Sequence, residues 1–183
     1  MVCTFAGMKV ANERNIRHLS LEEINTFFES IGEKKFRAKQ VHEWLWQKHA
    51  HSFGDMTNLS KELRQKLGEI FTLPALTVDA TQYSSDGTVK SRFRTHEGHL
   101  IEGVLIPTDE RKTACVSSQI GCSLSCKFCA TGYIDRKRNL NFDEIYDEVV
   151  LINQQSEKVY EKKLTNIVFM GMGEPLLNYK NVL

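Results

Sequence analysis

Three cysteines fall within eight residues, Cys122-x3-Cys126-x2-Cys129. A segment this rich in thiols must tie them to something, and the choices are disulfides or a metal. The chain has five cysteines, an odd number, and the crowding of three suits a metal site in a reducing compartment better than a disulfide framework. Three thiolates so close together can reach one small cluster. A 4Fe-4S cube given three of them keeps one iron without a protein ligand, and a substrate can bind there. Spacing alone leaves open a tetrahedral zinc site with Cys115 as fourth ligand, or a ferredoxin-like cluster with four cysteines. Zinc sites favour paired cysteine arms separated by a longer stretch, and the sequence has no second pair and no nearby Cys-His arm.

The pattern around the triplet sets the fold class. Residues 113–118 read as a buried strand, 121–138 as a glycine- and cysteine-containing loop, and 141–155 as a helix in which Asn141 and Glu144 form a capping box. Residues 166–170 read as a fully apolar strand. Strand, loop, helix, strand is the order that builds parallel sheets and barrels. At roughly 30 residues per βαβ unit the chain has room for two or three strands, whereas an eight-stranded barrel takes about 250 residues. A truncated barrel is therefore expected.

Upstream, residues 20–71 are helical in pattern. Ser20 and Glu23 form a capping box, Leu21, Ile24, Phe28 and Ile31 share a face, and Gly32 stops the first helix. A second helix is expected over 37–48, with Val41, Trp44, Leu45 and Lys48 at helical spacing, and both Trp44 and Trp46 read as core. Ser60 caps a third, whose stripe is Leu63, Leu67, Ile70 and Phe71. Pro74 ends this region, and 77–106 reads as a short antiparallel meander turning at Asp86-Gly87 and Glu97-Gly98. The class is α/β: a helical bundle over 1–73, a β linker region over 74–112, and the start of a (β/α) barrel over 113–183.

Charge narrows the partners little. Lys plus Arg number 24 against 23 Asp plus Glu, so any contact with a polyanion must be local. Arg136, Lys137 and Arg138 with Tyr133, and Lys34, Lys35, Arg37 and Lys39, are patches that would neutralise phosphates, though such runs are also ordinary solvated faces. No run of about 18 apolar residues occurs, and residues 1–9 lack the core of a signal peptide, so a cytoplasmic protein without membrane insertion is expected. Cys3 reads as a free terminal thiol, and the six histidines show no ligand spacing.

A second landmark is Phe169-Met170-Gly171-Met172-Gly173-Glu174-Pro175, which leaves a buried strand and turns sharply, with glycines that let backbone approach a ligand and Pro175 fixing the exit. By itself it would pass for a structural turn. Placed one helix and one strand after the cysteines, at the carboxyl end of a parallel strand, it falls where such folds put their sites.

The cysteine triplet, with aromatic Phe128 before the third cysteine, resembles the motif of the radical S-adenosylmethionine superfamily, and Gly173-Glu174 resembles its Gly-Gly-Glu-Pro segment, with Met172 where many members have glycine. The wider series narrows the match: Ile101-Glu102-Gly103-Val104, Cys115-Val116-Ser117-Ser118-Gln119, Arg138-Asn139-Leu140 and Gly171 to Asn178, with Gly32 to Ala38 near the start. Together these resemble the dual-specificity RNA adenine-C2 methyltransferases, over some nine-tenths of the chain. The resemblance implies a 4Fe-4S cluster on Cys122, Cys126 and Cys129. It also implies S-adenosyl-L-methionine held in part by Gly173 and Glu174. One such molecule methylates a protein cysteine; a second yields the radical that activates that methyl for addition to adenine. The methyl-carrying cysteine belongs to the family's C-terminal half, and none of the five here takes that role.

Two more residues carry over. Glu102 stands on an alternating strand with Leu100, Val104 and Ile106 on its own face, an apolar setting that raises a carboxylate's proton affinity and suits a general base, the role the resemblance implies; the alternative is a solvent-facing strand residue. Cys115 would resolve the protein–RNA adduct through a transient disulfide with the methyl carrier, or is an inert core thiol. The implied partners are ribosomal RNA, transfer RNA and an electron-donating flavodoxin or ferredoxin system, with the protein a monomer. Rival readings are adenine-C8 methylation, another radical reaction, and a non-catalytic metal module that binds nucleic acid.

Overall fold

Residues 14–183 are described by the computed structural model; Cys3 and residues 1–9 lie outside them. The chain divides into two units, Met1–Pro74 and Ala75–Leu183.

The first unit is built by three amphipathic helices. Helix α1 (Leu21–Ser30) starts at the anticipated capping box, the Ser20 hydroxyl accepting from the Glu23 N–H and the Glu23 carboxylate from the Ser20 N–H. Helix α2 (Lys35–Trp46) begins two residues earlier than its apolar spacing suggests and has no side-chain cap; helix α3 (Lys61–Ile70) is capped by Ser60. Their apolar faces meet in one core of Ile24, Phe28, Val41, Leu45, Leu63 and Leu67, closed by Ile16 and Met56. Burial of each such side chain stabilises the bundle by about 1.5–3 kcal/mol. Trp44 is partly buried against this core, and its indole N–H donates to Asn58 Oδ1 at 2.6 Å.

The second unit is a five-stranded sheet with a helix on one face. Strands β1 (Thr77–Tyr83), β2 (Val89–Arg94) and β3 (Leu100–Pro107) form the expected antiparallel meander, turning at Gly87 and Gly98. Strand β4 (Lys112–Cys115) pairs antiparallel with β3 and parallel with a later strand. The stretches 74–112 and 113–183 thus share one sheet, in the order β1-β2-β3-β4 followed by that later strand. A two-stranded ribbon, β5 (Gln119–Ile120) with β6 (Arg138–Asn139), closes the base of the cysteine loop.

Helix α4 (Phe142–Tyr160) opens on the Asn141–Glu144 capping box and runs five residues beyond its anticipated end, stopping where Glu161 adopts φ 54°. It covers the face of the sheet that carries Val89, Phe93, Ile101, Leu105 and Ala114, with Ile145 and Ile152 in the same core. Strand β7 (Asn166–Val168) is shorter and wetter than a fully apolar strand, and Ile167 is 47% exposed. The reason is its place at the sheet edge, paired with β4 alone.

Candidate active site

The parallel strands β4 and β7 lie side by side, and the segments leaving their carboxyl ends form the site. The chain continues from β4 through Val116–Ser118 into the cysteine loop, and from β7 into Gly171–Glu174. The two exits are laced together: Val116 N donates to Val168 O, Gly171 N to Val116 O, and both Ser118 N and Gln119 N to Met172 O. Asn178 Nδ2 donates to the Ser118 and Leu140 carbonyls, both at 2.8 Å, fastening the far end of the second segment to the first.

Gly173 sits at φ 94°, and a Cβ there would stand 2.5 Å from the Gln119 side chain. This glycine is therefore required by packing against the β5 segment as well as by the turn. Gln119 in turn accepts the Glu174 N–H at 3.0 Å and donates to Asn139 at 2.7 Å. One oxygen of the Glu174 carboxylate accepts the Leu176 N–H at 3.1 Å, capping the short turn Pro175–Asn178.

Cys122, Cys126 and Cys129 all lie on the loop, half-buried and none in a disulfide. The loop is folded on itself: Cys122 N donates to Ile134 O, Cys129 N to Cys126 O, and Gly132 N to Cys129 O. The Gly132 and Thr131 N–H groups hold the Cys129 thiol below its ordinary pKa, favouring the thiolate, the form in which cysteine ligates a metal. As donors the three thiols fit an iron-sulfur cluster in kind. Among the described residues no three His, Cys, Asp or Glu side chains are gathered into a metal-holding group, so the triplet is brought onto one loop but not drawn together. Phe128 is 94% exposed beside them.

Glu102 is placed differently from its expected setting. The face of β3 packed under α4 carries Ile101 and Leu105; Glu102 stands on the opposite face, about half exposed, with its carboxylate 2.8 Å from Lys90 Nζ. It is an ion-paired strand residue rather than a carboxylate among apolar groups. Cys115 pairs with Val104 across β3 and β4, so the alternation of strands sets it on the same face as Glu102. It is buried, and burial pushes its thiol pKa up.

One residue that shapes the site, Glu148, has no place in the sequence motifs, and two others, Gly103 and Ser117, enter them without a role. Glu148 on α4 is fully buried, with both carboxylate oxygens accepting from Ser117 N at 3.0 and 3.1 Å, and burial drives its pKa well upward. Gly103 makes room for it, since a Cβ there would lie 2.7 Å from a Glu148 oxygen. Ser117 is the junction: its hydroxyl donates to Glu102 O at 2.7 Å and accepts from Met172 N at 2.9 Å. The signal for Glu148 is a carboxylate falling on the apolar stripe of a helix, between Ile145 and Ile152. The basic run after the loop is partly committed, because Arg138 grips both oxygens of Glu144 and one of Glu97, and these carboxylates raise its pKa further.

The fold and this arrangement define a class. A solved structure titled as a radical SAM methyltransferase from Sphaerobacter thermophilus superposes with a TM-score of 0.79 and 38% identity, over 92% of this chain and 49% of that one. Residues 14–73 match the family model described as the ribosomal RNA large subunit methyltransferase N-terminal domain. The curated relatives that this chain matches carry the name dual-specificity RNA methyltransferase RlmN. It is 61% identical to the "Probable dual-specificity RNA methyltransferase RlmN" of Cytophaga hutchinsonii over 92% of its own length. It is 44% identical to the dual-specificity RNA methyltransferase RlmN of Geotalea uraniireducens over the same share. The chain spans about half the length of the relatives it matches, 46% and 47% of these two.

Proposed function

We propose that this chain supplies the cluster-binding and cofactor-binding part of a radical methyltransferase acting on C2 of adenine in ribosomal and transfer RNA. The observation that supports it most directly is the lacing of the cysteine loop to Gly171–Glu174 at the carboxyl ends of adjacent parallel strands. The chain is also 61% and 44% identical, over 92% of its length, to relatives whose names state RNA methylation.

In this reading Cys122, Cys126 and Cys129 hold a 4Fe-4S cluster, and the backbone at Gly173 with the Glu174 carboxylate binds the methionine ammonium of S-adenosyl-L-methionine. When bound, the two together supply one-electron cleavage of a sulfonium bond, chemistry that no side chain performs. The protein's own residues bind, orient and move protons. Glu102 removes the proton from the adenine ring, standing beside Lys90 on the strand face that it shares with Cys115. Cys115 later attacks the sulfur of the methyl-carrying cysteine, forming the transient disulfide as the bond from that sulfur to the RNA-bound methylene breaks and the released carbon takes up a proton. Electrons come from a flavodoxin or ferredoxin system, and the protein works as a cytoplasmic monomer. No helix among the described residues is long and apolar enough to cross a membrane.

The test is transfer of labelled methyl from S-adenosyl-L-methionine to ribosomal and transfer RNA under anaerobic, reducing conditions, with the full product of the gene. Label at adenine C2 is expected, and its loss in the Cys122→Ala variant. Label at C8, or no transfer to either RNA, would overturn the assignment.

A further inference from the structure

Strand β2 presents one face to α4 and the other outward: Val89, Ser91 and Phe93 are buried, and Lys90, Arg92 and Arg94 are exposed. The three cations stand at alternate positions, about 6.7 Å apart along the strand, close to the separation of successive phosphates in an extended nucleic-acid strand. Glu102 lies directly across from Arg92 in the β2–β3 register, so this row borders the carboxylate already described.

The row is organised rather than merely charged. The β1–β2 register shifts between Val78 and Ala80, and the extra residue is Asp79. Irregularities of this kind re-aim a side chain, and they occur beside functional sites. Here the carboxylate of Asp79 is placed between two guanidiniums: Arg92 binds one oxygen through Nε and Nη2, each at 2.6 Å, and Arg94 binds the other through Nη2. The two arginines hold Asp79 well ionised, lowering its pKa. Of five N–H donors on each guanidinium, this pairing takes two from Arg92 and one from Arg94. The remaining donors form two planar forks already fixed in orientation, the geometry that grips phosphate oxygens. Counting Lys90, three cations face two carboxylates, so the outer face of β2 is locally positive in a chain of net charge +1.

We infer that the outer face of β2, with Arg92 and Arg94 preset by Asp79, is a phosphodiester-binding surface that leads an RNA strand to Glu102. The inference rests on the reading of the chain as part of an RNA-modifying enzyme. This surface is a different one from the two basic runs visible in the sequence, 34–39 and 136–138: its arginine pair shares one carboxylate, Asp79, and keeps further N–H donors.

The experiment is fluorescence anisotropy of a short labelled RNA stem-loop titrated with the chain at several salt concentrations. The proteins are the wild type, Arg92→Gln/Arg94→Gln, and Lys158→Gln/Lys163→Gln, which removes the same two charges from exposed positions elsewhere in the same unit. Circular dichroism confirms that each is folded. The arginine variant is expected to bind on the order of tenfold more weakly or worse, with a plot of log affinity against log salt shallower by about 1.4 to 1.8, the value for two lost phosphate contacts. The lysine variant should match wild type. Adding Asp79→Asn to the arginine variant should not restore binding, because the forks rather than the net charge are what is missing. Equal weakening in both double variants, restoration by Asp79→Asn, or no RNA binding by the wild type would overturn the inference. Failure of the radical reading shows separately, as absence of iron and sulfide in a chain that still binds RNA through this face.

Discussion

At the scale of single residues, the site is defined by what each polar atom already holds. Glu174 uses one oxygen to cap the turn that follows it. Glutamine keeps a carbonyl oxygen for that N–H but loses the charge. Glu174→Gln is therefore expected to weaken S-adenosyl-L-methionine binding by about 1.5 to 3 kcal/mol, the range of a charge-assisted hydrogen bond, and to leave cluster assembly unchanged. Calorimetric titration checks this, and unaltered affinity would reduce Glu174 to a turn cap. Cys115 is expected to be alkylated more slowly at neutral pH than Cys122, Cys126 or Cys129, since burial disfavours its thiolate; timed labelling read by mass spectrometry measures it. The cysteine triplet was legible because spacing alone says that three thiols share a loop. The setting of Glu102 was not. Strand β3 is apolar on both faces, so alternation could not say which face would be covered, and α4 chose the one with Ile101 and Leu105.

At the scale of elements, capping chemistry was the most readable signal. Ser20 with Glu23, Ser60, and Asn141 with Glu144 each start a helix where expected, because a side chain that satisfies a first-turn N–H leaves a mark in the sequence. Helix ends were less readable: α4 stops at Glu161 with neither glycine nor proline to announce it. The contact between α4 and the sheet was invisible for the same reason that Glu148 was, since it depends on a carboxylate meeting the Ser117 N–H across the core. That carboxylate makes a prediction about pH. Its folded-state pKa lies above the unfolded one, so the native state holds an extra proton between the two values. The stability it contributes is full below the ordinary carboxylate range and is lost as pH rises through the folded pKa. Glu148→Gln is therefore expected to remove part of the fall in stability with rising pH, while keeping an acceptor for Ser117. Denaturant midpoints from pH 4 to 8 test this, and an unchanged slope would show that Glu148 is not a buried acid.

At the scale of the whole molecule, the net charge says nothing about an RNA partner, and the proposed RNA contact rests instead on the placement of charge on one strand face. The chain corresponds to about half of its relatives' length. Within it the described sheet ends on β7, whose flank exposes Ile167 and, just beyond, Met170 at 79%. The central proposal is that Cys122, Cys126 and Cys129 together hold an iron-sulfur cluster. Its most direct measurement is anaerobic reconstitution of this chain and of Cys126→Ala, followed by iron, sulfide and zinc analysis and a visible spectrum. About four irons and four sulfides per wild-type chain are expected, with broad visible absorption, and loss of both in the variant, because two thiolates leave the cube without a corner ligand. Zinc bound without sulfide, or a full cluster retained by Cys126→Ala, would contradict it.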